Sequence, residues 1–94
     1  MADILPFHQP EPLWRELLGS ALRSTREDQG GRLIDIAERA GISPQYLSEI
    51  ERGRKEPSSE MIAAVTGALG IDLADLLIDI ANTARPAGPV LLAA

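Results

Sequence analysis

The chain contains no cysteine, which excludes disulfide frameworks, thiolate zinc sites and thiol nucleophiles together. It has a single histidine, His8, so neither a histidine-based metal centre nor a catalytic triad is expected, and His8 itself is assigned no catalytic role. No apolar run approaches the roughly 18 residues that span a bilayer. The first residues carry Asp3, Pro6 and Pro10 where a signal peptide would place basic residues and an apolar block, so a cytoplasmic protein is expected. There is no phosphate-binding loop and no nucleophile–base pair, and the chain is not read as an enzyme. At 94 residues with 45% hydrophobic and 24% charged residues, it has the composition of one small globular domain with a modest core, which a dimer would help to complete.

The net charge of −5 would argue against a nucleic-acid partner if it were evenly spread. It is not. Residues 1–11 carry −2, residues 56–94 carry −4, and residues 12–55 carry +1 through Arg15, Arg23, Arg26, Arg32, Arg39, Arg52, Arg54 and Lys55 against seven acids. Composition is therefore neutral on DNA binding.

Residues 1–11, with two prolines and no helical period, read as a flexible arm. From Pro12, set just inside a helix start, Leu13, Trp14, Leu17, Leu18, Ala21 and Leu22 recur at helical spacing to about Asp28, and Trp14 is expected in the core. A second helix is expected over Leu33–Ala40, stopped by Gly41. Ser43-Pro44 is a hydroxyl cap with proline in the first turn; it opens a third helix to about Arg52, anchored by Leu47 and Ile50. Pro57-Ser58 opens a fourth, with Met61, Ile62, Val65, Ala68 and Leu69 facing in. Asp72 is placed to cap a fifth, where Leu73, Leu76, Leu77 and Ile80 form an i, i+3, i+4, i+7 stripe. Leu73 and Leu76 are expected to face inward, and Leu77 and Ile80 to be shared with a second copy. Asp72, Asp75 and Asp79 read as a cap and a solvated face rather than a metal cluster. The fold class is all-α, with an arm at 1–11, a domain at 12–82 and a flexible tail at 83–94.

The informative feature is the pair of short helices joined by Gly41-Ile42. Ala37 lies where two helices must approach closely, Gly41 makes the turn, and the polar helix from Ser43 to Arg52 is left exposed. That is helix-turn-helix spacing, which can place the N-terminal end of the second helix in a major groove. A plain helical hairpin with a glycine turn gives the same spacing.

The residues go further than the spacing. The run from Ile36 to Ser58, with Ile36-Ala37, Ala40-Gly41-Ile42-Ser43, Leu47-Ser48, Ile50-Glu51-Arg52-Gly53 and Pro57-Ser58, resembles the Cro/phage-repressor (xenobiotic-response-element) family of helix-turn-helix regulators. The resemblance covers about residues 15–80 and implies a five-helix, lambda-repressor-like domain. Leu13-Trp14-Arg15-Glu16-Leu17-Leu18-Gly19 and Arg52-Gly53-Arg54-Lys55-Glu56-Pro57-Ser58-Ser59-Glu60-Met61 are most similar to the actinobacterial regulators of Clp-protease genes. Two departures stand out. Where the family often opens its second helix with Ser/Thr-Gln, this chain has Arg32-Leu33, so the phosphate contact passes from a neutral amide to the charge of Arg32. The usual apolar residue ahead of that helix is Gly31, which shifts its packing role to Leu33.

What the resemblance implies can be set out by position. Pro44, Gln45 and Glu49 match base-reading positions; a glutamine can bond bidentately to adenine and a glutamate can accept from a cytosine amino group, although Glu49 also reads as a solvated acid that rejects wrong bases. Arg32, Ser43, Tyr46, Ser48, Arg52, Arg54 and Lys55 match backbone-contacting positions. For Arg52 and Lys55 ordinary surface charge is the alternative, and Tyr46 reads equally as partly core. Arg26 and Glu51 match an ion pair tying the first helix to the third. The function implied is that of a transcription regulator, an activator of Clp-protease genes, dimeric on an inverted repeat. An antitoxin or protein-binding adaptor of the same fold is the alternative. The partners implied are double-stranded DNA, a second copy of the chain, RNA polymerase and, through the C-terminus, a Clp protease, with no cofactor and no membrane. The last of these comes from Leu92, Ala93 and Ala94, which resemble the end of a trans-translation tag and read either as a degradation signal or as a frayed terminus.

Overall fold

The computed structural model describes residues 12–84. The expectations for the arm at 1–11, for His8, for the tail beyond residue 84 and for Leu92, Ala93 and Ala94 lie outside the described residues. Five helices follow in order: α1 (Trp14–Asp28), α2 (Leu33–Ala40), α3 (Pro44–Glu51), α4 (Ser59–Leu69) and α5 (Leu73–Ala84). No strand occurs among the described residues, and the architecture is all-α.

Local chemistry sets most of the boundaries. Ser43 Oγ accepts from the Tyr46 N–H at 3.0 Å and Ser58 Oγ from the Met61 N–H at 3.1 Å, so each hydroxyl satisfies a donor that has no partner within its helix. Gly41 ends α2 with φ +76°, and the next N–H, that of Ile42, donates back to the Ala37 carbonyl at 3.0 Å. A side chain at that left-handed position would be strained. Helix α1 starts two residues later than the proline suggests: Pro12 precedes it, and the Glu16 carboxylate reaches back to accept from the Leu13 N–H at 3.0 Å.

The core gathers Leu18 and Leu22 from α1, Ile36 and Ala37 from α2, Leu47 and Ile50 from α3, Val65 and Leu69 from α4, and Leu76 and Ile80 from α5. Helix α2 packs mainly on α4 and α3, and α1 crosses both α3 and α5. Helix α3 is thus held from below by α1 and α2, with its outer face left free.

Three expectations are corrected here. Trp14 is 42% exposed against the described residues; it lies a full turn before Leu18, the first buried side chain of α1, and overhangs the end of the bundle. Leu73 is 50% exposed because α5 turns Leu76 and Ile80, not Leu73, onto α1. Ile80 is only 6% exposed, so it belongs to the chain's own core and has little surface left to share. The apolar side chains that α5 does present are Leu73, Leu77 and Ile78, the last two at 45% and 56% exposure.

Candidate nucleic-acid interface

Helix α3 divides sharply by face. Leu47, Ile50 and Glu51 are buried, whereas Pro44, Gln45 and Arg52 are exposed and Glu49 is half-buried. Gln45, Glu49 and Arg52 stand at i, i+4 and i+7, which places them along one outward stripe. None of these three side chains makes a hydrogen bond or ion pair within the described residues, so their polar groups are available to a ligand. Ser43 and Ser48 flank the stripe, Ser43 being committed through its oxygen to the helix cap. Tyr46 packs partly against the core. Arg54 and Lys55 are exposed in the turn that follows α3.

The orientation of this helix is fixed at its inner face. Arg26 donates from Nε and Nη2 to the two carboxylate oxygens of Glu51, at 2.7 and 2.9 Å, and from Nη1 to the Gly31 carbonyl at 3.0 Å. Its side chain is 14% exposed and that of Glu51 6%. The bidentate fork fixes direction as well as distance, and it also neutralises the acid on the inner face of α3. The hydrogen bonds from Arg26 to Glu51 raise the arginine's pKa further above its ordinary value. Because that folded value is raised, the arginine's contribution to stability is present below its ordinary range and is lost as pH rises through the raised value.

Sequence reasoning missed two features that hold α3 in place. Gly19, in the middle of α1, lets the two helices approach so closely that a Cβ there would fall on the carbonyl oxygen of Ile50 and lie 2.8 Å from that of Glu51. Arg15 donates from Nε to the Gly53 carbonyl at 3.0 Å, tying α1 to the turn after α3. A glycine among leucines inside a helical pattern was the available signal for the first.

It also missed that Arg32 is engaged. The guanidinium lies on Asp35 at 3.1 and 3.3 Å, a pairing that the i, i+3 spacing advertised. The hydrogen bond from Arg32 holds the Asp35 carboxyl below its ordinary range. Because that folded value is depressed, the pair's contribution is present above the ordinary aspartate range and is lost as pH falls through the depressed value. Both side chains are largely exposed, so a phosphate can take Arg32 over at small cost. The described residues contain no group of three or more metal-ligating side chains, and no single described helix is long and apolar enough to cross a membrane.

A five-helix bundle with a glycine turn between α2 and α3, and an unpaired polar stripe on α3, defines a helix-turn-helix domain. The helix-turn-helix family model matches residues 22–76, and the chain belongs to that family. Among curated relatives, it is 51% identical over 67 residues to the transcriptional regulator ClgR of Mycobacterium tuberculosis, covering 71% of this chain and 60% of that protein. It is 48% identical over 56 residues to the regulator DdrOP3 of Deinococcus deserti, covering 60% of this chain and 43% of that one. The chain thus spans 60% and 43% of the length of these two relatives, less than two thirds of either. Among solved structures it is similar to the clp gene regulator ClgR from C. glutamicum, with 55% identity, a TM-score of 0.78, and coverage of 82% of this chain and 100% of that one. The controller protein C.Esp1396I, solved as a tetramer on its 35 base-pair operator, shares the fold with a TM-score of 0.72 at 15% identity, over 77% of this chain and 95% of that one.

Proposed function

We propose that this chain is a sequence-specific DNA-binding transcription regulator that binds an inverted repeat as a dimer and activates Clp-protease genes. The observation that carries the DNA reading is the outward stripe of Gln45, Glu49 and Arg52, whose polar groups have no partner among the described residues although the rest of α3 is locked in place. In this reading Pro44, Gln45 and Glu49 face base edges, with Gln45 suited to adenine and Glu49 to a cytosine amino group. Arg32, Ser43, Tyr46, Ser48, Arg52, Arg54 and Lys55 hold the backbone and set the register. The working unit, read from the sequence as residues 12–82, takes in the end of α5 to residue 84; it is flanked by an arm and a tail, and the protein acts in the cytoplasm. The Clp target rests on the 51% and 55% identities to the two ClgR proteins, and the sense of regulation on the family resemblance alone. RNA polymerase is the partner an activator requires. Recognition of Leu92, Ala93 and Ala94 by a Clp protease would let the induced machinery remove its own inducer.

The dimer is supported by α5. One recognition helix reads only a few base pairs, and two of them about 34 Å apart match successive major grooves. Leu73, Leu77 and Ile78 give α5 an exposed apolar face, and a two-fold partner would cover it with the same face. The seam proposed is therefore Leu77 with Leu73 and Ile78 in place of Ile80. Leu77→Asp with Ile78→Asp is expected to leave helicity unchanged, because both side chains are exposed, and to yield a monomer in sedimentation. Losing the second half-site should weaken operator binding by at least about 100-fold, taking a few kcal/mol as the contribution of a second reading head. A variant that stays dimeric and binds the inverted repeat normally would place the seam elsewhere.

A further inference from the structure

A cleft of about 150 Å³ opens where α1, α2 and the edge of α3 meet, lined by Arg23, Arg26, Leu33, Ser48, Glu51 and Arg52. Three guanidiniums face one carboxylate in it. Both oxygens of Glu51 are taken by Arg26, so the charges left uncompensated by the cleft's own lining are those of Arg23 and Arg52. Arg52 makes no hydrogen bond within the described residues. Arg23 donates from Nε to Glu27 at 3.0 Å, in a pair whose side chains are both more than half exposed. Such a pair contributes at most about 1 kcal/mol and weakens with salt. Ser48, one turn before Arg52 at the C-terminal end of α3, adds a hydroxyl to the lining.

Resting on the DNA reading above, we infer that this cleft seats one backbone phosphate of the bound duplex, with Arg23 as the charge that α1 brings to it. A helix lying in a major groove has a phosphate strand along each side. The cleft adjoins the Gln45–Glu49–Arg52 stripe through Arg52 itself, so a duplex read by that stripe brings a backbone strand to the cleft mouth. There the phosphate displaces Glu27 from Arg23 and takes the Ser48 hydroxyl and the Arg52 guanidinium as further donors. Arg23 matches none of the positions that the family resemblance assigns to DNA. Its role follows from the cleft. Because α1 also carries Arg26, which orients α3, a phosphate held by Arg23 would fix the duplex against the same helix that fixes the reader.

The test uses the full chain and the genomic fragment it occupies most strongly, titrated between about 50 and 200 mM salt. Arg23→Ala is expected to weaken binding about 5- to 10-fold and to lower the slope of log affinity against log salt by about one per half-site. Arg23→Lys should keep the slope. Glu27→Gln, which removes the internal competitor, should tighten binding a few-fold. If the unaltered protein binds with a steep salt dependence and Arg23→Ala changes neither affinity nor slope, the cleft proposal is overturned and the DNA reading stands. If the unaltered protein shows no salt-dependent binding to the fragment, the DNA reading itself falls and the cleft proposal with it. If inorganic phosphate raises the unfolding temperature of the unaltered protein but not of Arg23→Ala, while the DNA slopes are equal, the cleft is a free-anion site and the proposal is overturned.

Discussion

Replacing Arg26 with methionine is expected to cost about 3–5 kcal/mol of folding stability, a large share of what a domain this small possesses. The loss does not come mainly from the attraction between the two charges. Arg26→Met leaves the Glu51 carboxylate, with 6% of its side chain exposed in the intact protein, stripped of both hydrogen bonds and poorly hydrated. It also frees the Gly31 carbonyl, which accepts from Arg26 Nη1 at 3.0 Å, and so loosens the loop before α2. The counter-experiment separates these causes. Arg26→Met combined with Glu51→Leu removes the charge as well as its partner, and apolar replacements of buried pairs are often neutral or stabilising. The double variant should therefore regain most of the stability in urea unfolding, while Arg26→Met alone should not. It should not regain full DNA affinity, because two flexible apolar side chains do not hold α3 at the angle that a bidentate fork does. A double variant as unstable as the single would show that steric fit, and not the unpaired acid, governs the site.

Gly19→Ala is the second large effect, and its sign is decided by magnitudes that oppose each other. Alanine in a helix interior is favoured over glycine by roughly 0.5–1 kcal/mol. Against this, the new Cβ would fall on the Ile50 carbonyl oxygen and lie 2.8 Å from that of Glu51. Both obstacles are backbone, so relief requires α3 to move bodily away from α1, and overpacking of this kind costs about 1–3 kcal/mol. A net loss of about 1 kcal/mol is expected, accompanied by a drop in DNA affinity that persists at temperatures where the variant is fully folded. Gly67→Ala in α4 is the matched control. Nothing lies within 4 Å of a Cβ there, and that variant should gain about 0.5–1 kcal/mol. Equal behaviour of the two variants in thermal unfolding would contradict the close α1–α3 approach.

These two sites mark what the sequence showed and what it hid. The short helices were legible because their ends are chemical: Ser43-Pro44 and Ser58 announce helix starts, Gly41 announces a stop, and all three do so in the structure. The turn between α2 and α3 was legible for the same reason. The face that α5 buries was not, since Leu73, Leu76, Leu77, Ile78 and Ile80 surround more than half the helix with apolar side chains, and periodicity cannot choose a side. Contact with α1 chose it, burying Leu76 and Ile80 and leaving Leu73, Leu77 and Ile78 outside. Trp14 was misplaced because a helical stripe states direction and not where the bundle ends. In the candidate interface, the family resemblance pointed to Gln45, Glu49 and Arg52, but the pairing of Arg32 with Asp35 and of Arg23 with Glu27, though at i, i+3 and i, i+4 spacing, went unread. The cleft shared by α1, α2 and α3 joins residues far apart in sequence, and no local pattern exposes it.

The central claim is that the outer face of α3 reads DNA sequence, and genome-wide occupancy of the intact protein beside a Gln45→Ala, Arg52→Ala variant tests it most directly. Losing one bidentate base contact and one phosphate contact per half-site should cost each of them on the order of 1–3 kcal/mol. Sharp peaks centred on an inverted repeat, lying upstream of Clp-protease genes and lost in the variant, are the expected result. Featureless occupancy for both proteins would contradict it, and the exposed faces of α3 and α5 would then have to be read as surfaces for another protein.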